Sequence, residues 1–191
     1  LSALQFEQSN LVKTVVDALE KHQIPAELLT LEVTETTAMR DPDESVRILT
    51  ELTQLGVKAS IDDFGTGYSS LLYLKRLPAS ELKIDRAFVN ELQHHTEDAT
   101  IVSAIVALAQ SLQLKVVAEG VETAEQQAFL TSLGCNTLQG YLLGKPVPPE
   151  RVPELADYVV AEIKEAVAEV SLNAEAEAEA GQPLTPQVAV I

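Results

Sequence analysis

Two adjacent carboxylates, Asp62 and Asp63, stand where an apolar run ends and a glycine-broken segment, Phe64-Gly65-Thr66-Gly67, begins. Neighbouring carboxylates are costly to desolvate unless something cationic offsets them. A divalent metal is a common reason to place such acids at a strand end. These two belong to a series: Glu32 and Glu35, Asp62 and Asp63, Lys83 and Asp85, Glu119 and Glu122, then Gln139. Each group falls in or just after the C-terminal half of a predicted strand. One acid at a strand end is ordinary, but a run of them on successive strands is difficult to read as surface decoration. Barrel enzymes of the (β/α)8 type collect their catalytic groups at that face, each from a different strand.

The elements that must hold these residues alternate. Leu11 to Gln23 carries Val12, Val15, Val16 and Leu19 at helical spacing. Leu29 to Glu35 alternates as a strand. Asp41-Pro42-Asp43-Glu44 supplies a cap, a proline in first position and an early acid, starting a helix that runs to Leu55 and stops at Gly56. Val57 to Asp62 reads as a buried strand, Ser69 to Leu77 as a short helix ended by Pro78, and Glu81 to Asp85 as a strand. A long helix over Glu97 to Leu112 places Ile101, Ile105, Leu108 and Leu112 on one face, a core face with a homodimer contact as its lesser use. Leu114 to Glu119 is a strand, Thr123 to Leu133 a helix with a Thr-x-x-Gln cap, Asn136 to Gly140 a strand, and Val152 to Val167 a final helix. Strand–helix alternation argues for an α/β fold with parallel strands. Glu51 to Gly56 and Phe129 to Gly134 echo one another as helix ends leading into strands. From about Ser171 to Ile191, Ala-Glu repeats with Gly181, Pro183 and Pro186 predict a disordered or frayed tail.

Composition narrows the partners. The chain has 191 residues, a formal net charge of −16 and 46% hydrophobic residues. A surface this acidic repels duplex nucleic acid and anionic membranes, whose recognition rests on Lys and Arg. A phosphodiester substrate would then need a metal to supply positive charge. No apolar run approaches the roughly 20 residues of a membrane helix. The single Cys135 excludes an internal disulfide and fits a cytoplasmic setting. Gly65-Thr66-Gly67 lacks the Lys-Ser/Thr ending of a P-loop, which argues against a nucleoside triphosphate site. His22, His94 and His95 lie outside the acidic series, and Cys135 reads as a packing residue.

The motifs resemble those of the EAL family, hydrolases of cyclic di-GMP. Leu31-Glu32-Val33-Thr34-Glu35 resembles its Glu-x-Thr-Glu strand, and Asp62-Asp63-Phe64-Gly65-Thr66-Gly67 its metal loop. Leu82-Lys83-Ile84-Asp85 resembles its catalytic lysine strand, Val117 to Thr123 its second acidic strand, and Gln139-Gly140-Tyr141-Leu142 with Pro146 its closing strand and loop. The resemblance covers roughly Leu1 to Pro148. It implies that Glu32, Asp62 and Asp63 are metal ligands, with Asp62 bridging two ions, Mg2+ or Mn2+. Such a pair would clamp a phosphodiester and activate a water for in-line attack. Lys83 would orient that water and Glu119 would hold Lys83, while an ion pair with Asp85 or a neighbouring acid is the plainer reading of Lys83. Gln139 would contact substrate, or else act as a capping amide. Glu35 and Glu122 would brace the site, Glu35 by steadying the Asp-Asp loop.

Two departures from the family pattern stand at the start. Its Glu-Ala-Leu strand and its Asn ligand would fall before Leu1, and Leu4-Gln5 replaces its usual Arg-Gln. The expectation is therefore a partial TIM-like (β/α) barrel lacking its first strands over residues 1–168, followed by an acidic tail over 169–191. The fragment as it stands is expected to be poorly stable and inactive, the activity belonging to a parent domain that opens cyclic di-GMP to linear pGpG. A degenerate cyclic di-GMP receptor and another metal-assisted barrel hydrolase or lyase are the competing readings.

Overall fold

The computed structural model describes residues 1–6, 10–67, 71–93 and 96–153. The chain divides into two compact units, Leu1–Leu143 and Gly144–Ile191. In the second, the described residues contain one 3-10 turn, Pro149–Arg151.

In the first unit the elements run α1 (Ala3–Phe6), α2 (Leu11–His22), β1 (Thr30–Thr34), α3 (Glu35–Arg40), α4 (Pro42–Gln54), β2 (Lys58–Phe64), α5 (Leu71–Leu74), β3 (Glu81–Ile84), α6 (Arg86–Asn90), α7 (Thr96–Ser111), β4 (Lys115–Glu119), α8 (Ala124–Ser132) and β5 (Thr137–Gln139). The strands form one parallel sheet in the order β1-β2-β3-β4-β5, as repeated β–helix–β units require. Among the described residues the sheet does not close on itself, so they form an open α/β arc of the (β/α) barrel type. Among the described residues no helix is long and apolar enough to cross a membrane.

Strand alternation gives the sheet two unlike faces. Val33, Ala59, Ile61, Leu82, Ile84, Val116 and Ala118 are all buried. They share one core with Leu49 and Leu52 of α4 and with Val102, Val106 and Ala109 of α7. At roughly 25 cal/mol per Å2, this burial is the main force holding the sheet to its helices. The other face carries Glu32, Asp62, Lys83, Glu119 and Gln139. One face is thus committed to packing and the other is free for chemistry.

Local signals set several boundaries. Asp41 accepts a hydrogen bond from Glu44 N at 3.2 Å with Pro42 behind it, and α4 starts there. Thr123 and Gln126 form a reciprocal capping box at the start of α8.

The structure corrects three expectations. Strand β2 extends past Asp62 to Phe64, so both aspartates lie within the strand. The chain also turns helical at once after β1 and β3, in α3 and α6, where no helix was expected. Thr34 caps the first by accepting from Thr37 N, and Asp85 caps the second by accepting from Ala87 N at 2.8 Å. Finally, α7 buries Val102, Ile105, Val106 and Ala109, whereas Ile101 is exposed and Leu108 and Leu112 only flank the core. That helix is apolar nearly all round, so the sheet rather than its own periodicity selects the buried stripe. The expected helix from Val152 onward falls almost wholly outside the described residues. The acidic tail, the boundary at 168 and the pair His94-His95 lie outside them entirely.

Candidate active site

Lys83 is the centre of the polar face. It is 6% exposed, and its Nζ lies 2.7 Å from Glu32 Oε1, 3.1 Å from Asp62 Oδ1 and 2.5 Å from Glu119 Oε1. Four strands, β1 to β4, each contribute one member. Burial alone would lower the pKa of the ammonium, but the facing carboxylates of Glu119, Glu32 and Asp62 outweigh it and hold the pKa above its ordinary value. Lys83 is therefore a fixed positive charge at neutral pH. Three carboxylates around one ammonium still leave the cluster two charges negative. Asp85, the other partner considered for Lys83, instead caps α6.

The Asp62–Asp63 segment is bent to bring both acids to the same end of the sheet. Asp62 remains in register with Thr34 of β1. Against β3 the register slips between Ile61 and Phe64, as a bulge does when it re-aims a side chain. Asp63 adopts φ 52°, a left-handed conformation that costs a non-glycine residue of order 1 kcal/mol. Partial burial and the neighbouring Asp62, Asp85 and Glu119 carboxylates push the Asp63 carboxyl up.

Glu35 holds the loop that follows. It is 1% exposed, and its Oε2 accepts from Gly65 N at 2.8 Å. Gly65 has φ 100°, and a Cβ there would stand 2.8 Å from Phe88 Cε2, so only glycine fits without displacement. A buried carboxylate accepting a backbone N–H is a charge-assisted hydrogen bond, stronger than a neutral one.

Other residues singled out in the sequence sit farther from this centre. Gln139 is exposed on β5, in register with Glu119 and on the same face, but not among the contacts of Lys83. Glu122 is exposed, with its backbone N–H donating to Gln126 Oε1 at 2.8 Å. Cys135 is half-buried and its thiol is pushed up to about 11 by burial, in keeping with a packing residue. Two residues gain importance from the structure. The Asp85 carboxylate helps to push the Asp63 carboxyl up, a proximity that its place at the end of β3 hinted at. Gln126 is buried, and its capping pattern was visible, but nothing in the sequence showed that its amide reaches a second element.

The donor set fits a divalent cation. Asp62, Asp63 and Glu119 each offer a carboxylate oxygen, and these atoms lie within 4.8 Å of one another. Asp62 Oδ1 is buried and makes no well-aligned hydrogen bond, although Lys83 Nζ stands 3.1 Å away. A buried carboxylate oxygen left with only an off-axis partner, beside surplus negative charge, is matched by a hard cation.

Fold and site together define a (β/α)-barrel-type protein whose charged side chains converge at the C-terminal strand ends. More particularly, the chain belongs to the EAL domain family, whose profile it matches over residues 1–146. It is 66% identical over 152 residues to the bifunctional diguanylate cyclase/cyclic di-GMP phosphodiesterase MucR of Pseudomonas aeruginosa, covering 80% of this chain and 22% of that protein. It is 50% identical over 141 residues to the cyclic di-GMP phosphodiesterase NbdA of the same organism, covering 74% of this chain and 18% of the relative. The chain thus spans about a fifth of the length of these curated relatives. The solved MucR phosphodiesterase in complex with c-di-GMP superposes with a TM-score of 0.78 at 66% identity, over 80% of this chain and 62% of that one. Klebsiella pneumoniae BlrP1, solved with manganese and cyclic di-GMP, superposes with a TM-score of 0.68 at 33% identity, over 74% of this chain and 36% of that one.

Proposed function

We propose that this domain hydrolyses cyclic di-GMP to linear pGpG with two divalent cations, Mg2+ or Mn2+, as part of bacterial second-messenger signalling in the cytoplasm. The observation that carries the reading is the convergence of Glu32, Asp62 and Glu119 on one buried lysine, with Asp63 at the same strand ends. Cations held by Glu32, Asp62, Asp63 and Glu119 would supply Lewis-acid polarisation of the phosphodiester and a nucleophile at neutral pH. The rest falls to the chain's own side chains.

Lys83, set among the carboxylates of Glu32, Asp62 and Glu119, acts as a donor and a positive charge rather than as a base. It holds the facing carboxylates at a fixed spacing and offers N–H groups to an attacking water or to a non-bridging phosphoryl oxygen. Glu119 fixes the direction of that ammonium. Glu35 sets the loop through Gly65, and so the attitude of Asp62 and Asp63. Gln139, exposed on β5 and in register with Glu119, would contact the nucleotide. Glu122 is an outer brace. The acidic surface leaves phosphate recognition to this centre, which suits a small dinucleotide better than a duplex.

The test is a product assay. With Mg2+ or Mn2+, the full-length protein converts cyclic di-GMP to pGpG, and chelation abolishes the conversion. Intact cyclic di-GMP after prolonged incubation with either metal, alongside tight binding of the same dinucleotide, would instead make the domain a receptor.

A further inference from the structure

Gln126 is a buried polar residue that the reaction as read above does not use. It is 4% exposed on α8, and both its Oε1 and its Nε2 bond to backbone groups. Its Oε1 accepts from two successive amides, Glu122 N at 2.8 Å and Thr123 N at 3.0 Å. Its Nε2 donates to Val89 O of α6 at 3.0 Å. Helix capping accounts for the bond to Thr123, and a glutamate would serve there equally well. A glutamate could not donate to Val89 O. The amide therefore does something that capping does not require.

The two segments it joins are the ones that leave the lysine and glutamate strands. α6 begins directly after Asp85, at the end of β3, which carries Lys83. Glu122 and Thr123 follow β4, which ends at Glu119. Between them the chain is pressed against α6: Gly120 has φ 74°, and a Cβ there would stand 2.6 Å from Arg86 Cβ. Val121 is fully buried, and its N–H donates to Gln139 O at 3.0 Å. The exit from β4 thus rests against α6 at Gly120 and is tied to it by Gln126. A buried network with every polar group satisfied is rigid and specifies one arrangement.

We propose that Gln126 is a positioning residue for the Lys83–Glu119 pair: its amide straps the segment leaving β4 to the helix following β3. This fixes the two strand ends on which the ammonium and the carboxylate meet. The proposal rests on the reading that this pair belongs to the reactive centre.

Three variants of the full-length protein test it. Gln126→Met keeps volume and removes both functions of the amide. Gln126→Glu keeps an acceptor for Glu122 and Thr123 but sets an oxygen against Val89 O. Thr123→Ala removes the acceptor that Gln126 N uses at 3.2 Å and leaves the strap in place, so it controls for loss of the helix cap. One readout is turnover, split into kcat and KM. The other needs no substrate: the rate at which an amine-reactive acylating reagent labels Lys83, followed by mass spectrometry. Both Gln126 variants are expected to lower kcat about tenfold with KM changed by less than about twofold. They are also expected to raise Lys83 labelling about fivefold, as a loosened buried group becomes accessible. Thr123→Ala is expected to lose thermal stability with neither change. Gln126 variants that match Thr123→Ala in both kcat and labelling would overturn the strap and leave a simple cap. If one Gln126 variant does not fold, the other decides. If the unmodified protein does not turn over cyclic di-GMP, the phosphodiesterase reading fails, while the labelling comparison still decides the strap.

Discussion

Lys83 Nζ lies 2.5 Å from Glu119 Oε1, and the two residues sit on adjacent parallel strands, with Lys83 in register with Val117 rather than with Glu119. The lysine therefore reaches diagonally, two residues toward the C-terminal end of β4. That diagonal carries its charge to the end of the sheet where Asp62 and Asp63 also lie. A contact directly across the register would have left the ammonium buried one layer deeper, against Val117, which is itself 5% exposed.

Replacing Lys83 by Met removes the one cation from the cluster while keeping the aliphatic stem. The carboxylates left behind repel one another, and breaking such a buried pair costs about 3 kcal/mol in metal-free protein. Turnover is expected to fall at least about a hundredfold, the scale of losing a charge-stabilising donor. Divalent cation binding is expected to tighten, because the ammonium no longer competes for the same oxygens. Paired kinetic and metal titrations of the variant check both directions.

The charge state of Lys83 sets a pH dependence. Its folded pKa is raised above the free lysine value of about 10.4, so the pair's stabilisation is fully present below that value. It is lost only as pH rises through the still higher folded value. Metal-free thermal stability should therefore show no loss assignable to Lys83 between neutral pH and about pH 10. Melting curves of the metal-free protein measured across this range, with Lys83→Met as the control, report the contribution directly.

Glu35 acts at one remove from the centre. Glu35→Ala leaves the Gly65 N–H without its 2.8 Å partner, a loss of about 1 kcal/mol because Gly65 is exposed and water can replace the acceptor. It also frees the loop that follows Asp63 and Phe64. Affinity for Mn2+ is expected to drop about tenfold, as for outer-shell supports of other metal sites. Glu35→Gln retains an acceptor oxygen and is expected to lose much less of both. Calorimetric metal titration and chemical denaturation separate the two effects.

Much of this site was legible in the chain because its residues contradict their surroundings. Glu32, Asp62, Lys83 and Glu119 are charged residues at the ends of strands that are otherwise apolar on their buried face, and that contrast survives without coordinates. The parallel α/β order was legible for the same reason, through the change from alternating to helical periodicity. The parts that stayed hidden depend on relations between elements. Helices α3 and α6 are 6 and 5 residues long, too short for a periodic signal, and exist because Thr34 and Asp85 cap them at strand ends. The buried stripe of α7 is chosen by the sheet, since Ile101 and Val102 look alike in the sequence. The slip between Ile61 and Phe64 has no local signature. Neither does the second hydrogen bond of Gln126, whose partner Val89 is 37 residues away.

Binding of Mn2+ to the full-length protein, followed by electron paramagnetic resonance, tests the central claim most directly, because it asks whether the strand-end carboxylates hold a cation at all. The unmodified protein should take up Mn2+ with loss of the free-ion signal, and Asp62→Asn, which neutralises the carboxylate with the poorly partnered buried oxygen, should weaken that uptake by about a hundredfold. Equal uptake by both proteins, or none by either, would contradict the account.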